Sequence, residues 1–420
     1  MTELKVGTLI IGAGQAGASA AFALREKGYS DPVCIIGEEA LPPYERPPLS
    51  KAVLRDEKNL ADILVRDLPA YDTHNIQLML GSRAEQILPQ EQRVKLGDGQ
   101  VIHYDHLILA TGGRPRQLPG KALPGVHYLR SHGDGTRLAA ELKQYRKLAV
   151  IGGGFIGLEV AASARQMGLE VCVIEAAPRV LQRSLPETIA ADVVALHEDQ
   201  GVEFHCNARL EGFVGTDRLS GIQLEDQLID VDIAVVGIGL IPNTELAEAA
   251  GLAVDNGICT DAHCRTGNAH IYAIGDCANS YHGHYQRAVR LESWQNANLQ
   301  GAIAAAAICA DACADACSEI QAVKNDAVPW LWSDQYDWSF QVAGMFDSQA
   351  QLISRGSAAE GKVIYFIHSD GVLTGVVGWG KGTSVAKDVR VGQMLLQQGK
   401  NPPFEMLADD SISLKKLLKL

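Results

Sequence analysis

Two stretches of this chain, IIGAGQAG from Ile10 and VIGGGFIG from Val150, share one Gly-x-Gly-x-x-Gly spacing. Each follows an apolar run, TLIIG or LAVIG, and each leads into small and apolar residues suited to a helix. The pattern predicts strand, turn and helix twice over, with helices from about Gln15 to Lys27 and from about Phe155 to Met167. A second apolar strand follows each helix: PVCIIG, closed by Glu38, and EVCVIE, ending on Glu175. A lone glycine motif says little. With a strand before it, a helix after it and an acid about 20 residues on, it reads as a βαβ unit shaped for a dinucleotide.

The residue types follow from that task. Gly12 and Gly152 allow the tight turn, Gly14 and Gly154 let a pyrophosphate approach the backbone, and Gly17 and Gly157 let the helix pack on its strand. The pyrophosphate charge then meets free N–H groups at a helix start. Glu38 and Glu175 are placed to accept hydrogen bonds from ribose hydroxyls. An acid at Glu175 repels the extra phosphate of NADP, which favours NAD, although Arg179 and Arg183 follow closely enough to answer a 2′-phosphate.

The repetition extends beyond the glycines. VKLGDGQVIHYDHLILATGGRPR in the first half, with a hairpin signal at Asp98-Gly99, has the layout of LSGIQLEDQLIDVDIAVVGIGLIPN in the second. The fold class expected is therefore α/β: two doubly wound, Rossmann-like dinucleotide-binding domains. IYAIGD, ending at Asp276, has no third glycine motif beside it and is expected to return to the first domain. From about Val323 the chain turns to Trp-rich alternating strands, a hairpin at Ser369-Asp370-Gly371 and a helix in SVAKDVRVGQMLLQQG, a small α+β C-terminal domain. The boundaries read as 1–115 with 244–322, then 116–243, then 323–420.

A formal net charge of −13 argues against a nucleic-acid partner. No uninterrupted apolar stretch of about 18 residues occurs, so no membrane span is expected. The first strand begins too soon for a signal peptide, and cysteines without a Cys-x-x-Cys suit a reducing cytoplasm. Cys309, Cys313 and Cys317 read as one stripe on an Ala-rich helix, and His282 and His284 as a surface loop; no metal site is expected. Two dinucleotide sites in one chain point to electron transfer between them, because a nicotinamide gives a hydride and a flavin releases electrons singly.

Further motifs narrow the reading. PYERPPLSKAVL, LATGGRPR, GGGFIGLEVAA, GIGLIPNTELAEAAGL, IYAIGDCA, RLESWQNA and VPWLWSDQY occur in that order. Together they resemble the FAD-dependent NADH:ferredoxin reductases, a family with the reductase components of aromatic-ring dioxygenases and the apoptosis-inducing factor among its relatives. The resemblance runs from about Val6 to the C-terminus and implies a glutathione-reductase-like architecture. It assigns FAD to Gly12, Gly14, Ala16, Gly17, Glu38, Arg46, Lys51, Ala84, Arg130, Asp276, Glu292, Trp294 and Trp332. It assigns NADH to Gly152, Gly154, Ile156, Gly157, Glu175, Arg183, Gly239 and Glu292, the last near the nicotinamide amide. Lys51 is implied to lie close to flavin N5. An ammonium there stabilises charge on the reduced ring, and Glu159 is expected to pair with it.

The resemblance implies hydride transfer from NADH to FAD, then single electrons to a [2Fe–2S] ferredoxin that serves a P450 or a Rieske-type oxygenase. Such partners are acidic, so Arg287, Arg290, Lys381, Lys387 and Arg390 are candidate docking cations. A disulphide reductase needs a proximal cysteine pair, and an NADH oxidase needs a cysteine near PYERPPLSK; the sequence has neither. A rubredoxin reductase, or an NADH-responsive sensor resembling apoptosis-inducing factor, are the alternatives.

Overall fold

The computed structural model describes residues 4–120, 123–312, 323–347 and 350–420. The chain divides into two compact units, each built around a parallel sheet. The first comprises Met1–Glu45, Leu60–Arg114 and Leu240–Ala327; the second comprises Arg46–Asn59, Pro115–Gly239 and Val328–Leu420. The short segment Arg46–Asn59, read from sequence with the first domain, thus packs with the second unit. Its Leu54 is fully buried in one cluster with Leu158, Val160 and Leu138.

In the first unit the strands Ile76–Leu80, Val33–Gly37, Leu4–Ile11 and Val101–Leu109 lie side by side and parallel. Ile10 stands opposite both Ile35 and Ile108, so the sheet centre is aliphatic on every strand, as a sheet covered on both faces requires. Strand Ile271–Ala273 returns to pair in parallel with Leu107–Leu109, the return anticipated from the missing third motif. Helix Gln15–Glu26 packs on helix Trp294–Ala312 through small side chains, with Ala20, Ala21, Ala304, Ala305 and Ala307 in one buried cluster. Gly301 allows the close approach: a methyl there would come 2.8 Å from the Ala20 nitrogen.

The second unit repeats the device. Val202–His205, Glu170–Ile174, Lys147–Ile151, Ile233–Val236 and Val126–Tyr128 form a parallel five-stranded sheet in that order. The C-terminal segment adds an antiparallel five-stranded sheet, ordered Trp330–Gln335, Trp338–Gly344, Val372–Lys381, Lys362–Ser369 and Gln351–Ser357, with helix Ala386–Gln397 against it. Its Ser369↔Val372 hairpin closes through Asp370 and Gly371, both at positive φ (52° and 78°), the conformation that two-residue turns prefer. Phe340, Val342, Tyr365 and Trp379 of this sheet share a core with Val150, Leu158 and Ile189.

One local expectation changes. His282 is fully buried at the end of strand Ala278–His282, with Nε2 3.2 Å from the Ala327 carbonyl, and is no surface-loop residue. Strand alternation explains it, since Ser280 is buried, Tyr281 exposed and His282 buried again. Cys309 is buried in its helix, while Cys313 and Cys317 lie outside the described residues. Among the described residues there is no cluster of His, Cys, Asp or Glu able to hold a metal, and no helix is long and apolar enough to cross a membrane.

Candidate dinucleotide cradles and a buried ion pair

The two glycine turns can be tested by asking what each glycine must avoid. At Gly12 φ is +121°, and an added methyl would sit 2.1 Å from the Ala110 carbonyl oxygen. At Gly17 it would sit 2.1 Å from the Gly12 carbonyl oxygen. Backbone packing alone therefore demands both residues. Gly14 differs: its φ is −110°, and an added methyl meets nothing within 4 Å. The second unit repeats the contrast. A methyl at Gly152 meets the Gly237 carbonyl oxygen at 2.4 Å, one at Gly157 meets the Gly152 carbonyl oxygen at 2.2 Å, and one at Gly154 meets nothing within 4 Å. In each turn the protein itself requires the outer glycines, while the middle one faces open space of the kind a pyrophosphate needs.

The helix starts fit the same ligand. Helices Gln15–Glu26 and Phe155–Gln166 begin at Gly14 and Gly154, with no side-chain cap and no acid in the first turn. Helix His132–Leu142, by contrast, is closed by a reciprocal Ser131–Asp134 capping box. Uncapped N–H groups with a positive dipole end are suited to an anion. The turn Gly275–Cys277 brings Asp276 to the first helix: a methyl on Gly275 would stand 3.0 Å from the Ala16 side chain, and the Gly275 N–H donates to Gln300 at 2.8 Å. These residues fit the pyrophosphate of a dinucleotide in each unit.

The remaining assigned residues fall as follows. In the first unit Glu38 is exposed and paired with Arg83 at 3.0 Å, and Trp294 donates its indole N–H to Glu45 at 3.1 Å. The Ala84 side chain points into the apolar core, leaving only its main chain to offer a ligand. Glu292 pairs with Arg290, which is 12 % exposed; Arg290 is therefore no surface cation and drops out of the docking candidates. In the second unit Arg46 donates to the Arg130 carbonyl, bringing two of the assigned residues together. The Trp332 ring stacks on Trp330 with centroids 5.1 Å apart. Ile156, 55 % exposed in the first turn of its helix, and the exposed Gly239 and Arg183 present the surfaces assigned to the nicotinamide nucleotide.

Glu175 is held by the protein's own donors. Its Oε2 accepts from the Gly153 N–H at 2.7 Å and its Oε1 from the Ala177 N–H at 2.8 Å. Arg179 folds back to donate to the Val180 and Leu185 carbonyls at 3.3 and 2.8 Å, so its guanidinium secures the loop. Of the two arginines considered for a 2′-phosphate, only Arg183 remains exposed.

Lys51 and Glu159 form a buried ion pair, Nζ to Oε1 at 2.9 Å, with side chains 14 % and 6 % exposed. Two serines not singled out from the sequence complete it. Ser50 donates to Glu159 Oε2 at 2.5 Å, and Ser333 donates to Oε1 at 2.6 Å. Ser163 in turn donates to the Ser50 carbonyl at 2.8 Å. A charge pair this deep is tolerable because every carboxylate oxygen has a donor.

Fold and cradles together define the class: an α/β protein built to hold a dinucleotide on each of two parallel sheets. The model of the pyridine nucleotide-disulphide oxidoreductase family matches residues 7–301, a reductase C-terminal domain model matches residues 330–418, and the chain belongs to that family. It is 41 % identical over 98 % of both chains to the anthranilate 1,2-dioxygenase system ferredoxin–NAD(+) reductase component of Burkholderia cepacia. It is 38 % identical to rhodocoxin reductase of Rhodococcus erythropolis, covering 97 % of this chain and 93 % of that one. Among solved structures, the covalent putidaredoxin reductase–putidaredoxin complex matches with a TM-score of 0.92 and 33 % identity, over 99 % of this chain and 98 % of that chain.

Proposed function

We propose that this protein is an NADH-dependent, FAD-containing ferredoxin reductase that supplies electrons to an oxygenase system. One observation carries the reading: two glycine cradles in one chain whose middle glycines face open space at uncapped helix starts. Bound FAD supplies the conversion of a two-electron hydride into single electrons. The chain's own residues do the rest. Gly14 and the first N–H groups of helix Gln15–Glu26 take the FAD pyrophosphate, with Asp276 beside them; Gly154 and the start of helix Phe155–Gln166 take that of NADH. Glu175 offers its carboxylate to the adenosine ribose and opposes a 2′-phosphate, which selects NADH.

Lys51 acts as a fixed positive charge for the flavin, held by Glu159, Ser50 and Ser333. The electron acceptor is a small [2Fe–2S] ferredoxin, and of the candidate docking cations Arg287, Lys381, Lys387 and Arg390 are exposed. We place the protein in the cytoplasm, where thiols such as Cys206 and Cys259 stay free. The test is stopped-flow mixing of the yellow protein with NADH, then with an oxidised [2Fe–2S] ferredoxin. The reading requires rapid loss of flavin colour and NADH-dependent ferredoxin reduction. A colourless protein, or NADH oxidation that never reaches a ferredoxin, overturns it, and reduction of a rubredoxin alone favours the rubredoxin-reductase alternative.

A further inference from the structure

Ser333 is one link in a longer line of buried polar side chains. The Gln335 amide nitrogen lies 3.2 Å from Ser333 Oγ, Gln335 Oε1 lies 2.8 Å from His197 Nε2, and the Tyr336 hydroxyl lies 3.4 Å from His197 Nδ1. Ser333, Gln335 and His197 are 0 %, 1 % and 0 % exposed, in positions where apolar side chains would pack at less cost. Their hydrogen-bond directions follow from two facts, that a carboxylate only accepts and that the buried His197 ring is neutral and carries one proton. Ser333 must give its proton to Glu159, so its oxygen accepts from the Gln335 NH2 group. The Gln335 carbonyl then faces His197, which must carry its proton on Nε2 and accept at Nδ1 from Tyr336. Every donor therefore points toward Glu159.

We propose that Ser333, Gln335 and His197 are positioning residues for flavin reduction: a one-directional hydrogen-bond line that fixes the Glu159 carboxylate and, through it, the place where Lys51 presents its ammonium. The line fixes the pair for two reasons. Glu159 cannot rotate without stranding buried donors on Ser50 and Ser333, and Ser333 cannot turn without breaking its bond from Gln335. His197 anchors the far end, because its ring also stands edge-on to Phe204 and Tyr336. Aligned donors also polarise one another and strengthen the bond that reaches the carboxylate. This inference rests on the reading that Lys51 serves the flavin.

The test is a double-mutant cycle on the FAD-loaded protein. Ser333→Ala and Gln335→Met are each made alone and in a Lys51→Gln background, with Ser333→Thr as the variant that keeps the hydroxyl. The readouts are the flavin reduction rate at saturating NADH, the KM for NADH, the flavin midpoint potential and the thermal midpoint. Ser333→Ala and Gln335→Met should each slow reduction about tenfold at unchanged KM, the scale of one lost hydrogen bond to a charged group. The midpoint potential should fall by about 30 mV, the two-electron equivalent of that factor. Ser333→Thr should restore both, and neither substitution should have a further effect once Lys51 is Gln. If Lys51→Gln changes rate and potential while Ser333→Ala and Gln335→Met do not, or if their effects persist in full without Lys51, the proposal is overturned and the role of Lys51 stands. If Lys51→Gln itself changes neither, the underlying reading of Lys51 fails, and the proposal with it.

Discussion

The contrast between the outer and middle glycines separates folding from cofactor binding, and it can be tested with single methyl groups. Gly14→Ala places a Cβ in open space at an extended backbone, so its effect on the apoprotein is small. Alanine caps a helix less well than glycine but restricts the unfolded chain, and the two effects nearly cancel, within about 1 kcal/mol. That methyl stands where a pyrophosphate approaches, and forcing a methyl into an occupied contact costs about 1–3 kcal/mol. FAD affinity should therefore fall roughly 5- to 150-fold. Gly12→Ala is the opposite case, with φ at +121° and a carbonyl oxygen 2.1 Å away. It should lower the stability of the apoprotein itself by more than about 2 kcal/mol. The assays are fluorescence titration of the deflavinated protein with FAD, and thermal unfolding of the same preparation. Gly154→Ala should raise the KM for NADH by a similar factor while FAD stays bound. Wild-type FAD affinity in Gly14→Ala, at any stability, would show that the middle glycine does not serve the cofactor.

Burial pushes His197 down to about 4. The unfolded state then takes up a proton that the folded state refuses between about pH 6.5 and 4, so stability falls as the solution is acidified through that window, by about 3 kcal/mol in all. In histidine-labelled protein, the signal assigned to His197 by its loss in His197→Asn should stay that of a neutral imidazole at pH 5.5; titration of that signal above pH 6 would contradict its burial. Lys51→Met should retain FAD but slow its reduction, and should lower the thermal midpoint because Glu159 keeps its burial and loses its counter-charge, a cost of about 3 kcal/mol; adding Glu159→Gln should recover most of the midpoint, as thermal scans will show. Glu175→Ala should weaken NADH binding more than NADPH binding, and equal losses in steady-state KM would mean that the acid does not read the ribose.

What the sequence shows clearly is whatever repeats locally. The strand–glycine–helix–strand–acid order fixes both parallel sheets, because each part has its own periodicity or turn chemistry within about 30 residues. The Asp370-Gly371 hairpin is legible for the same reason. Arg46–Asn59 is not, because Leu49, Val53 and Leu54 look alike whichever unit buries them; Leu49 and Val53 in fact pack against Gly135. The resemblance marks Lys51, and its pairing with Glu159 is foreseen, but the serines are not: Ser50 and Ser333 meet Glu159 across 109 and 174 residues. One signal was available. In WLWSDQ the inward positions are Ser333 and Gln335, with exposed Asp334 between them. A polar residue in the buried phase of a strand needs a partner, and that demand is readable even when the partner is not.

The two cradles share their glycines but not the setting of their acids, and the difference suits their different ligands. Glu175 is fixed by the N–H groups of Gly153, in the glycine turn, and of Ala177, two residues on. Glu38 reaches outward to Arg83, and both side chains are largely exposed. Ordering a free glutamate side chain costs about 1–2 kcal/mol. A resident cofactor meets that cost once, on assembly, so an exposed acid such as Glu38 at the cradle proposed for FAD is little penalised. A substrate that binds and leaves at every turnover would meet it each time, and a carboxylate already held in place removes it from the cycle. Pre-ordering therefore belongs in the cradle of an exchanging nucleotide, and under the proposed assignment of NADH to the second unit that is where Glu175 is held.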